Sequence, residues 1–101
     1  MLLASLGFVG LEAQQAGVAG RVLDEEGNPM IQANVQLVQS TGQVAVAAGA
    51  TNEKGLFSLK TSQEGDYILR VSYVGYTTHD EKISLRNGQT ITLKDISMNE
   101  D

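Results

Sequence analysis

The sequence predicts an all-β fold, a seven-stranded antiparallel β-sandwich. Short segments alternate apolar and polar residues with a period of two. They recur at roughly 8–12-residue spacing, and Gly, Asn, Asp, Pro or Ser closes each one. No stretch after Gly17 carries the 3.6-residue period of an amphipathic helix. At 101 residues and 42% hydrophobic content, the chain can bury one modest core.

The first strand is expected over Gly17 to Leu23, with Val18 and Val22 on one face. Asp24 to Pro29 supplies a turn, because Gly, Asn and Pro each bring turn geometry. Gln32 to Val38 puts Ala33, Val35 and Leu37 inward. Ser40-Thr41-Gly42 turns the chain into Val44 to Ala50, a strand of small residues. Asn52 to Gly55 is a hairpin-type turn, followed by Leu56 to Lys60 with Phe57 and Leu59 inward. The run Gly65 to Tyr76 is the longest strand and holds all 3 tyrosines. Tyr67, Leu69, Val71 and Tyr73 share its core face, and Gly75 breaks it where the backbone needs a positive φ or a bulge. Tyr76, beyond the break, is the tyrosine expected to be exposed. Thr77 to Leu85 is the sixth strand. Asn87-Gly88 signals a hairpin into Gln89 to Leu93, the seventh.

Both ends read differently. Met1 to Leu11 is apolar and uncharged, too short to span a bilayer as a helix, with Ala13, Ala16 and Gly17 behind it. Residues 1–16 therefore read as a secretory signal peptide, either truncated of its basic start or given a misplaced start site, which implies export; the alternative is an N-terminal strand or a short buried helix. Residues 17–96 form the domain, and residues 97–101 read as a polar linker or tail.

Composition excludes several function classes. A net charge of −5, with 7 Lys and Arg scattered singly, argues against nucleic acid. Without cysteine there is no disulfide and no thiolate metal site. The single histidine, His79, precedes Asp80, but adjacent strand residues point to opposite faces and cannot orient one another for catalysis. Asp24, Glu25 and Glu26 cluster oxygen ligands in a turn, without the alternating spacing of a calcium loop. No glycine pattern matches a phosphate cradle. The lysines fall at turns or outward positions, which disfavours a self-made isopeptide bond. No catalytic, cofactor or metal residue is assigned, and the chain reads as a non-enzyme. Tyr76 is the one candidate ligand contact, as a stacking surface for carbohydrate.

Three motifs then line up in order. Gly20-Arg21-Val22-Leu23-Asp24-Glu25-Glu26-Gly27-Asn28-Pro29-Met30, Thr51 to Leu59 and Gly65 to Tyr76 together resemble the carboxypeptidase regulatory-like domain. The last of them, Gly65 to Tyr76, resembles most the version at the N-terminus of TonB-dependent outer-membrane receptors in Bacteroidetes. The resemblance implies a transthyretin-like, immunoglobulin-like sandwich of seven strands. It also implies a periplasmic, non-catalytic module at the outer membrane, whose partner is a receptor plug, barrel or other periplasmic protein. A carbohydrate-binding module is the alternative. In the carboxypeptidases the domain accompanies a zinc peptidase whose metal ligands lie elsewhere, so none carries over.

Overall fold

The computed structural model describes residues 15–41 and 44–101. Among them the chain forms eight strands and no helix: β1 (Ala16–Leu23), β2 (Asn34–Gln39), β3 (Ala45–Ala50), β4 (Leu56–Thr61), β5 (Gly65–Ser72), β6 (His79–Leu85), β7 (Thr90–Thr92) and β8 (Ile96–Ser97). One sheet runs β4-β1-β7, with β8 also on β1; the other runs β3-β2-β5-β6. The two close on one core, in which Val18, Val22, Val35, Leu37, Leu69 and Val71 are wholly buried. These are the inward residues that the period of two picks out.

The eighth strand and the strand directions differ from expectation. β1 is antiparallel to β4 but parallel to both β7 and β8, so the sandwich is mixed. The two parallel pairings are out of step by one residue, so β7 and β8 are a single edge interrupted by a bulge around Leu93 to Asp95. The parallel pairing follows from Asn87-Gly88, which does not make a hairpin. Gly88 has φ 81° but Asn87 stays at negative φ, so the paired positive angles of a type I′ hairpin are missing. The Gln89 N–H donates to the Arg86 carbonyl at 3.2 Å, and the turn carries the chain from β6 in one sheet to β7 in the other. Asn52 to Gly55 is likewise a tight turn whose flanking strands, β3 and β4, enter different sheets.

Two further expectations are corrected. The segment after Lys94 is part of the fold: Ile96 and Met98 are buried, and the Met98 N–H donates to the Leu23 carbonyl at 2.8 Å. Two apolar side chains among eight residues gave too little pattern to reveal a strand this short. At the other boundary, Ala16 is already in β1, paired with Thr61. The signal reading of Met1 to Gln14 lies outside the described residues.

The tyrosine strand also ends early. β5 stops at Ser72, opposite the first residue of β2, Asn34. Tyr73 therefore has no sheet to lie against and is 39% exposed, although Tyr67 on the same face is buried. Tyr76 is half-buried and packs against the core, so the expected environments of Tyr73 and Tyr76 are exchanged.

Candidate functional site

Among the described residues, the six large apolar side chains left exposed fall into two groups. Ile31, Tyr73 and Val74 lie in the turns at one end of the sandwich; Val44, Val46 and Leu56 lie in and beside β3 and β4.

At the tyrosine end, the Tyr76 N–H donates to the Tyr73 carbonyl at 3.0 Å, and Gly75 supplies φ 86°. The turn sets the two rings edge to face, 5.7 Å apart and 75° between planes, a favoured aromatic geometry. Asp24, Pro29, Met30, Ile31, Tyr73 and Tyr76 line a notch of about 270 Å³. The C-terminal residues fasten its rear. Glu100 bridges to Tyr76, and the Asp101 N–H donates to the Gly75 carbonyl at 3.0 Å. Glu25 ties both parts together: it accepts from the Tyr76 hydroxyl at 3.4 Å and from the Glu100 N–H at 3.2 Å. Partial burial pushes the Tyr76 hydroxyl above the ordinary tyrosine pKa, and the carboxylates of Glu25, Glu100 and Asp24 push it further. The Tyr76 hydroxyl is thus engaged by Glu25, and its ring meets that of Tyr73 edge to face. Tyr73 is the more accessible ring.

The Met30-to-Ala33 turn is clamped by Thr51, the sole buried polar side chain among the described residues. The Thr51 hydroxyl donates to the Met30 carbonyl at 2.6 Å and accepts from the Ala33 N–H at 2.9 Å. The Gln32 N–H donates to the Thr51 carbonyl at 3.1 Å, and Gln32 itself sits at φ 65°. A side chain in this left-handed region costs about 1–2 kcal/mol. The clamp holds that conformation, and with it Ile31, out to solvent.

The β3 edge has a different chemistry. Among the described residues, Ala45–Ala50 bonds to β2 on one side only, and its other side is a sheet edge. Its sequence is AVAAGA, without charge or proline, and five of its six residues are exposed. The opposite edge strand of the same sheet, β6, carries Asp80, Glu81 and Lys82, which discourage pairing.

The remaining polar candidates lie apart. His79 Nε2 is 3.1 Å from Glu81 Oε1, two residues along one face. Asp80 points the other way and accepts two bonds from the Arg70 guanidinium, at 2.8 and 3.0 Å, which hold its carboxyl below the usual carboxylate range. Arg21 and Asp95 make a second bidentate pair across the outer face of the β1 sheet. They stand at one side of an open groove of about 590 Å³ floored by Ala19. Among the described residues, no three His, Asp or Glu side chains converge as metal ligands. All four lysines are exposed.

The sequence pointed to Tyr76. It missed Ile31 and Tyr73 as parts of one notch, and Thr51 as the clamp on the Ile31 turn, because the three come from separate segments with no shared local pattern.

Solved structures share this architecture at low identity. A minor pilin of Streptococcus agalactiae matches with TM-score 0.70 and 14% identity, over 87% of this chain and 45% of the pilin. The TIE protein of Bacillus anthracis matches with TM-score 0.65 and 21% identity, over 86% of this chain and 17% of that one. A hydroxyquinol 1,2-dioxygenase of Pseudomonas putida matches with TM-score 0.64 and 11% identity, over 88% of this chain and 57% of the enzyme. The chain thus spans less than two thirds of each, and the likeness is one of fold. No curated protein matches it. The model of the carboxypeptidase regulatory-like domain matches residues 17–99, most of the chain, so the chain belongs to the carboxypeptidase regulatory-like domain family.

Proposed function

We propose that this domain is a non-catalytic interaction module of an exported, outer-membrane assembly, and that it docks an extended segment of a protein partner along β3. The partner would be the plug or barrel of a TonB-dependent receptor, or another periplasmic component. The observation that carries the reading is the β3 edge, an uncharged strand with one side unbonded among the described residues. An edge of this kind accepts an added strand through main-chain hydrogen bonds, with little demand on the incoming sequence. The motif resemblance supplies the receptor context.

The test is an NMR titration of the 101-residue chain with a purified receptor plug domain and, separately, with oligosaccharides. The plug should shift the amides of Ala45–Ala50, and Ala48→Lys should abolish the response. Ala48 is exposed, so this change should leave stability within about 0.5 kcal/mol. Saturable oligosaccharide shifts centred on Tyr76 would replace this reading with the carbohydrate-binding one.

A further inference from the structure

The tyrosine end carries a second surface, independent of β3. Its exposed groups are apolar: Val74 is 95% exposed, Ile31 50% and Tyr73 39%. Their exposure is built into the backbone. Ile31 is held out by the Thr51 clamp at the expense of a left-handed Gln32, and local strain of this sort persists only where its surroundings enforce it. Tyr73 is held beside the notch by the turn to Tyr76.

Charge decides what such a surface admits. Asp24, Glu25, Glu26, Glu100 and Asp101 all belong to the segments that build this end. Neither Lys nor Arg occurs in residues 24–32, 73–78 or 98–101. Three of these carboxylates have structural duties, and one of them is Asp101, whose Oδ1 accepts from the Thr77 hydroxyl at 2.6 Å. Asp24 Oδ1 accepts the Glu26 and Asn28 N–H groups at 2.9 Å, and Glu25 accepts from Tyr76 and Glu100. The other Asp24 oxygen has no such bond among the described residues, and Asp24 lines the notch together with Tyr73.

We propose that this notch docks an arginine-bearing extended segment of a partner protein, with apolar residues flanking the arginine. The guanidinium stacks on the Tyr73 ring and meets Asp24; the flanking apolar side chains cover Ile31 and Val74. Arginine suits the site better than lysine because its planar group both stacks on an aromatic ring and pairs with a carboxylate.

The probe is the capped heptapeptide Gly-Leu-Arg-Leu-Arg-Leu-Gly, titrated into the 101-residue chain and followed by NMR. A control peptide carries Glu in place of both Arg. The proposal expects saturable shifts at Ile31, Tyr73, Val74 and Tyr76 with the arginine peptide. Tyr73→Ala should weaken binding roughly fivefold to tenfold. Asp24→Asn keeps an oxygen for the turn bonds and removes the charge, and should weaken binding several-fold. Unchanged amide shifts in the strands confirm that both variants fold. Three results would overturn the proposal: no saturable shift at these residues, equal binding of the glutamate peptide, or shifts confined to Ala45–Ala50. The last would leave the β3 reading intact, whereas loss of the β3 response alone would leave this one intact.

Discussion

At the β3 edge the exposed residues stand on a strand with no charge; at the tyrosine end Asp24 lines the notch, and Glu25 joins Tyr76 to Glu100. The first region offers main-chain donors and acceptors, which any extended chain can satisfy. The second offers side chains, whose sign and shape would select among partners under the docking proposal. Binding at β3 should therefore change little with salt. Binding at the tyrosine end should weaken once ionic strength shortens the Debye length to about 8–10 Å or less. Under the two proposals one small sandwich would present a permissive surface and a selective one, and both regions rest on the same core.

That shared core sets the largest expected effect. Leu69 is wholly buried between β2 and β6, opposite Leu37. Leu69→Ala should cost roughly 2–5 kcal/mol through the cavity it leaves, a large part of the 5–15 kcal/mol that holds a typical domain. Hydrogen exchange should then speed up at β3 and at the tyrosine end together. Loss of protection in one region alone would show that the two do not share a cooperative unit.

Thr51→Val separates them. The variant keeps the shape of the side chain and deletes its hydroxyl, leaving the Ala33 N–H and the Met30 carbonyl without that partner. The expected loss is about 1–3 kcal/mol, with faster exchange at Gln32 and Ala33 and little change in the middle of β3. Denaturant unfolding with site-resolved exchange would measure both. A loss under about 0.5 kcal/mol, the range of an ordinary surface change, would mean that the clamp does not hold the turn. The notch would then lose its preorganised Ile31.

The two regions were unequally legible in the sequence. The chargeless run Val44 to Ala50 is contiguous, so its strand could be read directly, and only its place at an edge needed the structure. The inward faces of β2, β4 and β5 were readable for the same reason: a period of two is a local signal. The tyrosine end was not, because its environment depends on where β2 begins. Tyr73 continues the inward series of Tyr67, Leu69 and Val71, but the partner strand starts at Asn34, opposite Ser72. One residue further on, the periodicity has no sheet to refer to. Asn87-Gly88 failed similarly: the dipeptide fits a turn, but whether the next strand returns alongside β6 or crosses to β1 is a question of which sheet has a free edge. Met98 is buried by long-range pairing with Leu23, beyond the reach of any local pattern.

The smallest effect probes the convergence of carboxylates on Tyr76. Its hydroxyl ionises above the ordinary value of 10.0, first because partial burial disfavours the phenolate, then because Glu25, Glu100 and Asp24 repel it. The folded state thus holds this proton more tightly than the unfolded chain does. The associated stability is fully present below the unfolded tyrosine pKa of about 10 and is lost as pH rises through the higher folded value. A site-resolved NMR titration should place the Tyr76 midpoint above that of free tyrosine. Glu25→Gln removes one repelling charge and should lower the midpoint without returning it fully, because burial remains. Added salt should lower it in the native chain and less in the variant, since only the charge-dependent part is screened. A Tyr76 midpoint at or below the free value would refute that convergence of carboxylates. So would a raised midpoint indifferent to both Glu25→Gln and salt. In either case the tyrosine end would lose its electrostatic selectivity and differ from the β3 edge only in shape.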